Sequence, residues 1–198
     1  MALLSSSISA AAEKAIEGAI ERSQAGDPNS LSAISDPSQA ELATASAQPL
    51  YGLDLPRLVQ GKPFDAAAIH LGERYLLWRN QNPIGSAEIR EVLGRPLRAS
   101  LFFGPAARNT EAALEAAEKL PIVREHDYEV RLLTISGLYL MALWLKAKKS
   151  PLVKDLIVPV APAPEGLEAL RQYDVPAFES WVKTQIKGIR EAGYSADR

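Results

Sequence analysis

Apolar residues recur along this chain at two different periods. Near the start, Ile8, Ala12, Ala15, Ile16, Ala19 and Ile20 fall on one helical face, while Glu13, Lys14, Glu17, Glu21 and Arg22 fall elsewhere. The spacing predicts an amphipathic helix within residues 5–22, with Ser5–Ser7 as candidate N-caps. Glu13, Glu17 and Glu21 are like charges at i, i+4 and oppose the helix slightly. A helix this short is marginal alone in water. Its narrow Ala/Ile seam therefore needs a surface to lie on: its own domain, a second copy or another protein.

Residues 24–49 lose both periods. The stretch is rich in Ser, Ala and Pro, lacks aromatic residues, and belongs to a longer run (Ser23 to Pro56) without Lys or Arg. Pro28, Pro37 and Pro49 interrupt any helix, so a linker is expected. From residue 50 onward the pattern becomes that of a folded domain, with every Trp, Phe and His. The organisation expected is an amphipathic N-terminal arm at 1–23, a linker at 24–49 and a domain at 50–198.

Within that domain, Ala66–Leu71 and Arg74–Trp78 suggest a hairpin turning at Gly72–Glu73. Asn82–Pro83 reads as a turn and Ser86 as the N-cap of a helix from Ala87 to Leu93, stopped by Gly94. Ala99–Phe103 suggests a strand, and Asn109 the cap of a helix over Glu111–Leu120 closed by Pro121. Tyr128–Ile135 alternates as a strand, and Leu138–Lys146 is apolar on both faces, as a covered central strand requires. A buried helix fits Leu138–Lys146 almost as well. Leu156–Val160 predicts a further strand. Val175, Phe178, Trp181, Val182, Ile186 and Ile189 predict a final helix that starts at Asp174 and Pro176 and ends at Gly193. The sum is an α+β fold with a mostly antiparallel sheet of five to six strands, packed helices, and an N-terminal helical arm on a linker.

Composition then narrows the chemistry. The chain has 198 residues, 47% of them hydrophobic, and no cysteine. Disulfides, thiolate metal sites and a cysteine nucleophile are thereby excluded. A net charge of -2 argues against a generic nucleic-acid binder. The basic groups Lys146, Lys148, Lys149 and Lys154, and Arg90, Arg95 and Arg98, read as solvated ends of elements. Leu132–Leu145 is the most apolar stretch and falls short of the ~20 residues a membrane helix needs. The first residues lack a basic region followed by an apolar run, so no signal peptide and a cytoplasmic location are expected.

Glu125-His126-Asp127-Tyr128-Glu129 is the densest titratable cluster. His126, Asp127 and Ser136 are the candidate catalytic residues, for a small hydrolase in which His126 acts with a nearby carboxylate or Ser. Alternation along a strand places His126 and its carboxylate neighbours on opposite sides. His70 is read as a structural or exposed residue. No phosphate loop, nucleophile elbow or zinc-protease pattern occurs, and no cofactor and no metal are expected. Trp78, Trp144, Tyr75, Phe102 and Phe103 could line an apolar pocket, giving a small-ligand binding domain as another reading. The leading expectation is a non-catalytic interaction or assembly module. In it Ile8, Ala12, Ile16 and Ile20 bind a protein partner or a second copy, giving an oligomer, with no nucleic acid or membrane involved.

Overall fold

A computed structural model describes residues 3–4, 8–24, 41–92, 95–148 and 152–195. In chain order the elements are β1 (Leu3–Leu4), α1 (Ala10–Gln24), β2 (Glu41–Leu53), α2 (Leu55–Val59), α3 (Phe64–Ala67), β3 (Ala68–Arg79), β4 (Asn82–Val92) and β5 (Arg95–Phe103). There follow α4 (Pro105–Glu118), α5 (Pro121–Glu125), β6 (Tyr128–Ile135), a 3₁₀ turn at Ser136–Leu138, β7 (Leu140–Ala147), β8 (Leu156–Pro159), β9 (Tyr173–Asp174) and α6 (Val175–Ser195). The fold is α+β, as the sequence suggests.

The sheet is larger than expected and mixed. It has nine strands, eight of them in the order β5-β4-β3-β2-β6-β7-β8-β9, with β1 beside β6. Strands β2–β5 form one antiparallel meander and β6–β9 another. They are joined by a short parallel pairing of Leu50–Gly52 with Leu132–Thr134. β1 pairs with β6 in parallel too, Leu3 opposite Tyr128.

Alternation divides the side chains between two faces. Tyr75, Leu77, Ala87, Ile89 and Ala99 form a cluster with Ala12, Ile16 and Ala19 of α1. Leu133, Ala142, Trp144 and Ile157 pack with α2, α3 and Phe178 and Val182 of α6. On the opposite face Leu132, Val130, Leu143 and Leu145 meet Ala113 and Ala117 of α4 and Val123 of α5. The sheet is thus covered on both sides, which is why β7 reads as apolar in both registers.

Several expectations need correction. Residues 41–49, read as the end of the linker, lie in β2. The proposed hairpin at Gly72–Glu73 is instead one continuous strand, β3. Gly72 has φ +139° beside a register shift opposite Leu50 and Tyr51, and a Cβ there would stand 2.0 Å from the carbonyl oxygen of Ile89. That glycine therefore marks a bulge and a close strand approach rather than a turn. The turn is at Asn80–Gln81, where both residues have positive φ (48° and 63°), as a type I′ loop requires. Residues 87–92 of the helix expected at 87–93 are strand, and Leu93 lies outside the described residues: Ala87 and Ile89 face α1, while Ser86 and Glu88 face α4. Pro105 stands in the first turn of α4, and Pro121, read as closing that helix, opens α5. Helix α6 continues past Gly193 to Ser195, and Asp174 caps its start by accepting from the Ala177 N–H at 2.8 Å. No helix among the described residues is long and apolar enough to cross a membrane.

Candidate interaction site: the seat of the N-terminal helix

Helix α1 starts where Ser9 Oγ accepts from the Ala12 N–H at 3.2 Å. Ser9 thus does the capping assigned to Ser5–Ser7, which lie outside the described residues. Ile16 is fully buried at the middle of its apolar face, flanked by buried Ala12 and Ala19. Ile8, Ala15 and Ile20 pack around them half-buried, and Glu13, Glu17 and Glu21 point to solvent. The partner-binding set Ile8, Ala12, Ile16 and Ile20 therefore sits on the chain's own sheet, along β4 and β5.

The receiving surface is built from small and aromatic residues. Ala47, Ala87 and Ala99 keep it low enough for a helix to approach, and buried Tyr75 supplies its largest ring. The Tyr75 hydroxyl donates to the Glu73 carboxylate at the rim. Burial, and then that bond and the carboxylate charge, push the Tyr75 phenol well above its ordinary pKa, so it stays a neutral donor.

Beneath the seat, on the face toward α4, lies a polar row. Gln48, Arg74 and Glu88 are cross-strand neighbours on β2, β3 and β4. Arg74 is 2% exposed, 4.0 Å from Glu88, and its Nη1 contacts Met141 Sδ at 3.2 Å. Desolvation lowers its pKa, and Glu88 opposes the shift. The Gln48 amide atoms, Arg74 Nε and Ser86 Oγ are buried without a hydrogen-bond partner.

The catalytic candidates are not assembled. His126 is half-buried at the end of α5, where its N–H donates to the Ile122 carbonyl. Ser136 is exposed past the far end of β6, a strand of 8 residues that spans about 25 Å at ~3.3 Å per residue. Asp127 is half-buried beside His126, and its carbonyl accepts from the Lys148 N–H at 3.0 Å. Among the described residues no group of three or more His, Asp or Glu is arranged to hold a metal ion.

The aromatic residues proposed as one pocket are divided. Tyr75 belongs to the α1 cluster and Trp144 to the α6 cluster, and Phe102 is exposed on edge strand β5. Trp144 instead stacks in a ladder that sequence reading missed. The Arg131 guanidinium lies 4.9 Å over Tyr51 and 4.6 Å over Trp144, and Tyr51 meets His70 edge-on. Alternating polar and aromatic letters carry no hint that these four strands would become neighbours.

The basic clusters are mostly paired. Lys146 bridges Asp65 (2.6 Å) and Asp155 (2.9 Å), Lys148 meets Glu129 (3.0 Å), and Arg90 meets Glu88 (3.5 Å). The side chains of Lys149, Arg95 and Arg98 lie outside the described residues. Comparison of the chain with protein-family models, with curated proteins and with solved structures found no match.

Proposed function

We propose that the protein is a non-catalytic assembly module whose helix α1 can be seated on the sheet of a second copy, by reciprocal exchange. The observation that carries this reading is the complete burial of Ile16 on β3–β5. The apolar side of α1 fits the surface it covers in its own chain. A partner role for Ile8, Ala12, Ile16 and Ile20 is met by that same surface on another chain. The contacts made within one chain and between two would be identical, and a two-fold exchange closes without new interface chemistry. Sixteen residues of sequence separate Gln24 from Glu41. Fully extended, such a stretch reaches roughly 50 Å. The helix is marginal unless seated, which makes its leaving one seat and joining another a single coupled step.

Light scattering on the full chain over a wide concentration range tests this. The expected result is a dimer at high concentration that is lost when residues 1–24 are deleted, and lost again in Ile16→Asp. A full chain that stays monomeric at every concentration rejects the proposal.

A further inference from the structure

We infer that the cavity between the β3–β4 turn and the start of α4 binds a small oxyanion of the phosphate class. The cavity has a volume of ≈ 390 Å³ and is lined by Arg79, Asn80, Asn82, Ile84, Gly104 and Arg108, with Pro83 completing the wall. That size is within the ~300–1,000 Å³ usual for small-molecule sites. None of its lining residues is acidic.

The two arginines carry the inference. Arg79 is the last residue of β3 and Arg108 is in the first turn of α4, so separate elements bring two arginines to one hollow. Most other described basic residues near the sheet are paired with a carboxylate, as Lys146, Lys148 and Arg90 are. Arg79 and Arg108 have no ion pair among the described residues, and Glu111, one turn along α4, pairs with neither. Two arginines lining one cavity without a carboxylate are a recognition set for a tetrahedral oxyanion, which accepts several charge-assisted hydrogen bonds at once. The type I′ loop holds Asn80 and Asn82 at the rim, where the Asn82 amide donates to the Asn80 carbonyl at 3.0 Å. The start of α4 adds to the field. Gly104 offers no side-chain cap and itself lines the cavity, so the positive end of the α4 dipole lies at that wall. Anion binding at this cavity does not rest on the exchange of α1, although Ile84 of the cavity wall also packs against the α1 cluster.

Calorimetric titration at low ionic strength, with inorganic phosphate and with phenyl phosphate, tests the inference on the full chain. Binding is expected for at least one, weakened tenfold or more in Arg79→Gln/Arg108→Gln and by raised salt. Binding of phosphate alone identifies a free-ion site, and tighter binding of phenyl phosphate a phosphomonoester site. Arg171→Gln removes an exposed arginine elsewhere and should leave affinity unchanged. Absence of binding to both anions at tens of millimolar overturns the inference. So does binding that the double variant leaves intact while its folding is unaltered by circular dichroism.

Discussion

At the scale of single residues, the clearest constraints are backbone conformations and half-buried charges. Gly72 and Gly104 both hold φ values that L side chains rarely adopt, +139° and +128°. Around a Cβ at Gly104 the space is open, whereas at Gly72 it meets the backbone of Ile89 and Arg90. Gly104→Ala should therefore lose only the conformational cost, about 1–3 kcal/mol. Gly72→Ala should lose a further ~1–3 kcal/mol, because two paired strands must separate to admit the methyl. Urea unfolding of the two variants side by side checks the order. Glu129 supplies a pH signature. Burial alone would raise its pKa, but hydrogen bonds and charges from Arg131 and Lys148 outweigh it and the net shift is downward. A carboxylate with a depressed folded pKa stabilises fully above its unfolded value, ~4.3, and loses that contribution as pH falls through the lower folded value. The stability difference between the parent chain and Glu129→Gln should be largest near neutrality and shrink below about pH 4. At ~1 kcal/mol or less it is the size of a part-exposed ion pair, and chemical denaturation at pH 3, 5 and 7 measures it. A difference that grows on acidification would contradict the assignment.

At the scale of elements, α6 shows what periodicity can and cannot deliver. Its apolar face was readable in full, and Phe178 and Val182 are completely buried, yet Ile189 on the same stripe is 56% exposed because the helix runs past the sheet it covers. Phe178→Ala should cost ~3–5 kcal/mol, since the ring meets Phe64 at 6.1 Å and Trp181 at 6.0 Å. Ile189→Ala should cost well under 1 kcal/mol, and thermal melts of both variants separate the two positions. Legibility follows the same physics across the chain. Strands β6, β7 and β8 could be read because both faces are buried and β-branched, leucine and aromatic residues run together. Strand β4 was misread because Ala87, Glu88, Arg90 and Glu91 are good helix formers, and tertiary pairing with β3 and β5 overrides that preference. The start of β2 was missed because the small residues of the sequence at 43–47 resemble a linker. Ala47 serves the close approach of α1 and is buried in its seat. The arginine cavity was illegible for a different reason. Arg79 and Arg108 are far apart in sequence, and only the Asn80–Gln81 turn and the chain reversal into α4 make them neighbours.

At the scale of the whole molecule, the two meanders should differ in local stability. The α1 seat is built largely from alanines, Ala12, Ala19, Ala47, Ala87 and Ala99, around Ile16, Tyr75, Leu77 and Ile89. The clusters over β6–β8 hold Trp144, Phe64, Phe178, Tyr128 and many leucines. At ~0.8 kcal/mol per buried methylene, an alanine-lined cluster gains far less from burial than a leucine- and aromatic-lined one of similar extent. The polar row of Gln48, Arg74 and Ser86 under the first meander lowers its stability further, because those buried atoms lack partners. The two halves meet in the three-residue parallel pairing, in the Tyr51 ring, which reaches across to Trp144 at 5.3 Å and lies under Arg131, in the Arg74–Met141 contact, and in α4, which packs on β4 as well as on the β6–β8 cluster. The alanine-rich cluster under α1 has the least burial to lose, so it can open while the β6–β8 clusters stay folded. Native-state hydrogen exchange at low denaturant should therefore find α1 and β4 amides opening at a free energy at least ~1 kcal/mol below those of β6 and β7. Tyr51→Ala, which removes the ring contacts across the junction, should widen that gap. If all four elements share one opening free energy, the molecule unfolds as a unit and the proposed exchange of α1 requires global unfolding. If α1 opens first, exchange can proceed from a state in which β6–β8 and α6 remain intact.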